Sequence, residues 1–186
     1  MNQPNFKTPL SVEAYLEGEL RSELRHEYLA GEVYAMTGAS APHNLIAGNL
    51  FAALHAHLRS GPCRVFMSDM KLRLRDAQDD YFYYPDLMVA CRLEDNARYW
   101  REQPKLVAEV LSDSTERIDS REKLFAYRQI AALEEYVLIA QDRREVTVYR
   151  RAESWVALRL RDEAELELAS VGLRLPLAQV YEGVLE

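Results

Sequence analysis

The chain has 186 residues, of which 48% are apolar, and 23 Lys and Arg stand against 30 Asp and Glu for a net charge of −7. That size and apolar share fit one domain over residues 1–186 with a real core, and no apolar run is long enough for a membrane span. The acidic balance argues against a broad nucleic-acid-coating surface but leaves room for a local basic cleft, because affinity follows local potential. The N-terminus is charged and polar with no apolar signal segment, and Cys63 and Cys91 have neither metal nor redox spacing. These features predict a bacterial-type cytoplasmic protein with buried free thiols.

Thr8–Glu17 reads as a short helix that Thr8 can cap. His26–Met36 reads as a hairpin around Ala30-Gly31, where glycine supplies the positive φ. Ser40–Arg59 is the clearest helix: Leu45, Ile46, Leu50, Ala53, Leu54 and Leu58 recur at three- and four-residue steps, and Gly61-Pro62 closes it. Cys63–Arg75 alternates as a strand, Asp76–Asp80 is a polar turn, and Tyr81–Cys91 is the partner strand, apolar enough to be central. Lys105–Leu111 is a third buried strand. Asp119 can cap a helix from Ser120 to about Ala131. Glu135–Ala140 and Glu145–Arg151 form a hairpin, followed by a strand near Trp155–Leu160 and a short helix at Leu177–Tyr181.

Two of these strands hold a carboxylate each, Asp86 in YYPDLMVA and Glu109 in KLVAEVL. An unpaired buried charge costs more than strand preference can offset, and two neighbouring acids repel. A shared divalent cation relieves both problems, which makes this a candidate metal site. Lys123, in the following helical segment, can reach the same spot. The core order is helix, three strands, helix, strand. Dinucleotide-binding folds alternate strand and helix from the start and carry a Gly-rich phosphate loop; this chain does neither.

With an acid after Pro on the second strand and another within the third, this α/β order resembles the PD-(D/E)xK restriction-endonuclease-like superfamily. The chain is most similar to the Uma-type putative restriction endonucleases. The segments that carry the resemblance are RHEYLAGEVYAM (25–36), SAPHNLIAGNL (40–50), RVFMSDMKLRL (64–74), YYPDLMV (83–89), VAEVLSDSTERIDSREKLFAY (107–127) and EYVLI (135–139). The resemblance implies a mixed central sheet, with the N-terminal hairpin and the C-terminal segments added to the core. It implies Asp86 and Glu109 as metal-ligand acids. The superfamily usually places a lysine two residues after the second acid; position 111 is Leu111, so Lys123 stands as the relocated lysine. An early acid is often added in this superfamily, which makes Glu27 a candidate. With the Val110 carbonyl, Asp86 and Glu109 offer three oxygen ligands for Mg²⁺ or Mn²⁺. Lys123 would stabilise developing negative charge or position the attacking water. The implied function is a Mg²⁺-dependent phosphodiesterase acting on DNA as an endonuclease. The rival is a catalytically weak nuclease-like fold that serves as a nucleic-acid-binding or assembly module.

Plainer readings stand beside these. Asp86 alone is a common turn acid after Pro, and Glu109 with Lys123 can be a purely structural ion pair. His43 can cap or pack, or reach the cleft as a substrate contact or proton carrier. Asp69-Met70-Lys71 spells D-x-K one strand too early and reads as a near-site acid and a surface lysine. Arg64, Lys71, Arg73 and Arg75 read as a solvated strand face that can border a groove. Cutting both strands of a duplex needs two sites, so a two-fold homodimer is expected, with His26–Met36 and Val171–Val184 as contact surfaces.

Overall fold

Ser11 opens the first helix: its hydroxyl accepts a hydrogen bond from the Ala14 amide at 3.2 Å, satisfying an amide that a helix N-terminus leaves open. Helix α1 therefore runs Val12–Glu19. The predicted Thr8 cap lies outside the residues described by the computed structural model, which are 9–36, 38–76, 79–112 and 118–185, with backbone alone for 118–120. Strands β1 (His26–Leu29) and β2 (Glu32–Ala35) pair antiparallel as the predicted hairpin. Gly31 has φ 97°, and a Cβ placed there would sit 2.4 Å from the Pro9 Cβ, so the turn needs glycine on both counts. Helix α2 (Ala41–Leu58) begins at Ser40, whose hydroxyl accepts from the His43 amide, and it buries Ile46, Leu50 and Leu54 completely.

The two long strands predicted next are each broken in two. Cys63–Arg75 becomes β3 (Arg64–Met67) and β4 (Lys71–Arg75), and Tyr81–Cys91 becomes β5 (Asp80–Tyr83) and β6 (Leu87–Ala90). The predicted pairing holds, β3 with β6 and β4 with β5, but the two halves belong to different sheets. The ribbon bends where residues 68–71 face residues 84–86, so one strand carries an extra residue, as a bulge does. Pro85 has no N–H for a ladder, and the Ser68 amide donates instead to the Asp86 carbonyl at 3.1 Å. Asp86 thus stands at the bend between two sheets rather than inside one strand.

Strands β7 (Trp100–Arg101) and β8 (Pro104–Leu111) follow. The next predicted helix is shorter and wider: a π-helical turn at Ile118–Lys123 leads into α3 (Leu124–Tyr127). The side chain of Asp119, its predicted cap, lies outside the described residues. The chain continues through β9 (Glu135–Ala140), β10 (Glu145–Arg150), a 3-10 turn at Arg151–Glu153, β11 (Ala157–Arg161), β12 (Glu165–Leu168), β13 (Leu173–Pro176) and α4 (Leu177–Val180).

One sheet runs β2-β1-β5-β4-β7, and a mixed sheet runs β11-β10-β9-β8-β6-β3, with β8 and β9 parallel. The main core lies between α2, the mixed sheet and the C-terminal segment; a second core lies around Tyr127 and Tyr136. Leu175, Leu177, Val180 and Tyr181 are buried in the main core, so Val171–Val184 is largely part of the core rather than the free contact surface expected for it. Strand β2 is exposed along its whole length and keeps one edge unpaired. Cys63 and Cys91 are bonded to each other and half-buried, not buried free thiols. The pairing of Arg64 with Ala90 sets them face to face, a non-local register that Cys spacing does not reveal. Disulfides are rare in the reducing cytosol, so this bond and a cytoplasmic location pull in opposite directions. Among the described residues, no helix is long and apolar enough to cross a membrane.

Candidate active site

The bend at Pro85-Asp86 and the end of β8 meet at one point. Glu109, on β8, is 3% exposed. Its carboxylate accepts from the Asp86 amide at 3.2 Å and from the Tyr127 hydroxyl at 3.2 Å, and the Lys123 ammonium lies 3.3 Å away. Lys123 and Tyr127 are four residues apart, where a helix sets two side chains on one face, so both reach the same oxygen. Lys123 is itself buried at 7% exposure, with its stem inside the core and its charge at the site. Its second partner is Glu27 of β1, at 3.2 Å. Glu27 also accepts from the Tyr84 amide at 3.4 Å, which ties the N-terminal hairpin to the bend.

Asp86 is held from the other side. Its Oδ2 accepts from the Val110 amide at 2.8 Å and meets His43 Nε2 at 3.1 Å. The cap of α2 is Ser40, which accepts from the His43 amide, and the His43 ring instead lies against Asp86. The N–H and C=O of one strand residue project to the same side, so the Val110 carbonyl faces the edge that Asp86 occupies. The other oxygen of Asp86, Oδ1, accepts no hydrogen bond among the described residues. The structure therefore brings together Glu27, His43, Asp86, Glu109, Val110 and Lys123. Asp69 does not join them: its side chain is 78% exposed and pairs with Arg25 at 3.1 Å.

Tyr127 is a site residue that the sequence does not single out. The available signal was its position one helical turn after Lys123. Tyr83 is a second: its ring lies 5.9 Å from the Lys123 ammonium, and burial, with Glu27 nearby, pushes its phenol up to about 12. It therefore stays neutral at ordinary pH.

Among the described residues, three carboxylates face one ammonium and one imidazole here, so these groups carry excess negative charge in a largely desolvated setting. That arrangement attracts a cation. Among the described residues, no three His, Cys, Asp or Glu side chains are grouped as a full metal cage. Mg²⁺ does not need one, because it is usually held by one or two carboxylates and completes its shell with water and phosphate oxygens. Two acids at hydrogen-bond range of one backbone, one of them with an open oxygen, fit that habit.

Comparison with known proteins gives the family and the fold. The sequence profile of the Uma2 family, described as "Putative restriction endonuclease", matches residues 12–178. Two uncharacterized proteins of Synechocystis sp. (strain ATCC 27184 / PCC 6803 / Kazusa) are similar along nearly their whole length. One, slr1290, is 34% identical over 178 residues, covering 94% of this chain and 93% of its own. The other, sll1609, is 34% identical over 166 residues, covering 86% of this chain and 93% of its own. The fold is that of the crystal structure of a "putative nuclease belonging to DUF820" from Anabaena variabilis ATCC 29413. That structure matches with a TM-score of 0.72 at 17% identity, over 91% of this chain and 98% of that one. The matched profile spans most of the chain, bend and site acids included, and the chain belongs to the Uma2 family of putative restriction endonucleases.

Proposed function

We propose that this protein is a Mg²⁺- or Mn²⁺-dependent phosphodiesterase that acts on DNA as an endonuclease. The observation that carries the reading is the pairing of half-buried Asp86 with buried Glu109, joined through the Asp86 amide and faced by the Lys123 ammonium. Asp86, Glu109 and the Val110 carbonyl would hold the ion. A bound divalent cation supplies a water of lowered pKa and polarises the phosphoryl oxygen. Lys123 sets a positive charge beside the reacting phosphate, fixed in place by Glu27 and Glu109. Tyr127 orients the Glu109 carboxylate, and His43 orients Asp86 and can carry a proton at Nε2.

The rival is a nuclease-like fold used as a nucleic-acid-binding or assembly module, and the net charge of −7 favours the assembly role. Incubation with supercoiled plasmid separates the two. The nuclease reading expects nicking in Mg²⁺ or Mn²⁺ by the native protein and none by Asp86→Ala. No nicking by either protein would favour the module, and equal nicking by both would place the activity elsewhere. Concerted cutting of both strands calls for a two-fold dimer, and the exposed β2 edge supports one. A sedimentation mass of a single chain at micromolar concentration would leave single-strand nicking as the activity.

A further inference from the structure

Tyr34, on the edge strand β2, is 48% exposed. The hairpin register pairs it with Glu27, so both side chains stand on one face of the sheet with their Cβ atoms about 5 Å apart. That face carries the site, because Glu27 meets the Lys123 ammonium there at 3.2 Å. Tyr28, the next residue of β1, turns to the opposite face and stacks on Tyr15 at 5.0 Å. Tyr34 is thus the next side chain outward from Glu27 toward the free edge of the sheet. The site meets solvent on this side. The side chains of Glu27 and Asp86 are each 17% exposed and that of His43 15%, while Glu109 and Lys123 are buried. A substrate that reaches Asp86 from solvent comes in over these three groups, and Tyr34 borders the first of them.

Other rings of this region are engaged: Tyr28 packs on Tyr15 and Phe82, and Tyr83 meets Tyr127 edge-on. Among the described residues, Tyr34 has no ring partner. Its hydroxyl donates to the Glu32 carboxylate on the same face, which anchors the ring and raises the phenol above its usual pKa. The ring is therefore neutral, oriented and half open to solvent. Such a ring at the rim of a nucleic-acid site is a stacking platform, and it tolerates any sequence because every base has a π-face. The Glu32 charge beside it repels a phosphate, so a base and not the backbone suits this point.

The bases of a duplex are stacked on one another and present no free face; those of an unpaired strand do. The net charge of −7, which argues against a broad duplex-coating surface, points the same way. We propose that Tyr34 stacks on a nucleobase next to the scissile phosphate, and that the site takes single-stranded or locally unpaired DNA in preference to duplex. The assignment rests on the nuclease reading. Supercoiled plasmid remains a substrate under it, because its torsional strain opens short unpaired stretches.

Fluorescence anisotropy with fluorescein-labelled DNA of one sequence, single-stranded and as duplex, tests this without divalent metal and across a salt series. The native protein should bind the single strand more tightly than the duplex. Tyr34→Ala should bind the single strand about tenfold more weakly with an unchanged salt slope, because a stacked ring contacts no phosphate. Tyr34→Trp should keep the native affinity, and Tyr34→Phe, which lacks only the contact with Glu32, should lose less than Tyr34→Ala. Native affinity for the single strand in Tyr34→Ala, or a native protein that binds the duplex at least as tightly, would overturn the proposal. Tyr34→Ala that loses a dimer mass in sedimentation but no affinity would assign the ring to a contact between copies, and that too would overturn it. Plasmid nicking keeps the two readings apart. Tyr34-dependent binding without nicking would leave the stacking contact and end the nuclease reading, and nicking with Tyr34-independent binding would do the reverse.

Discussion

Lys123→Met should lower metal-dependent cleavage by about 10²–10³-fold while leaving divalent-cation binding in place. The ammonium lies 3.2 Å from Glu27 and 3.3 Å from Glu109, buried, and among the described residues it is the cation nearest these acids. Its loss removes positive charge from where charge would develop on the phosphate. It removes no oxygen ligand from Asp86 or Glu109, and the site becomes more negative, so a cation should bind at least as well. The two readouts therefore split. Cleavage within threefold of native would return Lys123 to the role of a structural ion-pair partner. Weakened cation binding would mean instead that the ammonium fixes the Glu109 carboxylate.

Glu135→Ala should destabilise the fold by about 3–5 kcal/mol, the combined cost of breaking a buried ion-pair contact and leaving two backbone amides without an acceptor. Glu135 is 1% exposed and accepts from Arg150 at 2.9 Å, from the Ala169 and Ser170 amides at 3.1 and 2.9 Å, and from the Ser170 hydroxyl at 2.5 Å. Its removal takes the buried carboxylate from Arg150, which keeps Glu153 and the Glu167 carbonyl, and leaves two backbone amides without their acceptor, at the point where the C-terminal hairpin joins the mixed sheet. A urea titration should show a lower midpoint with little change in slope. The double variant Glu135→Leu/Arg150→Met should recover part of the loss, because apolar packing often replaces a buried ion pair without penalty. A midpoint loss worth less than about 1 kcal/mol would show that the pair is hydrated in solution.

Local pattern made much of this architecture legible. Three- and four-residue apolar spacing marks α2, Gly31 marks the first turn, and a continuous apolar run marks β8 as buried. The acids in two such runs pointed to the site because burial makes a carboxylate conspicuous. What local pattern does not encode is non-local register. The Ser68 and Pro85 bends coincide only because β3–β6 and β4–β5 belong to different sheets. The same cause hides the Cys63–Cys91 bond and the burial of Lys71 beneath Tyr84 and Tyr99. The π-helical turn that ends at Lys123 is hidden for another reason: α- and π-helical spacing look alike over so few residues.

Calorimetric titration with Mn²⁺ or Mg²⁺ tests the shared-cation site most directly, because it needs neither the substrate nor turnover. The native protein should bind the ion, and Asp86→Ala, which loses the open carboxylate oxygen at the bend, should give no binding heat. Unchanged binding in Asp86→Ala would contradict the metal site, and the Asp86, Glu109 and Lys123 cluster would then stand as a structural ion-pair network.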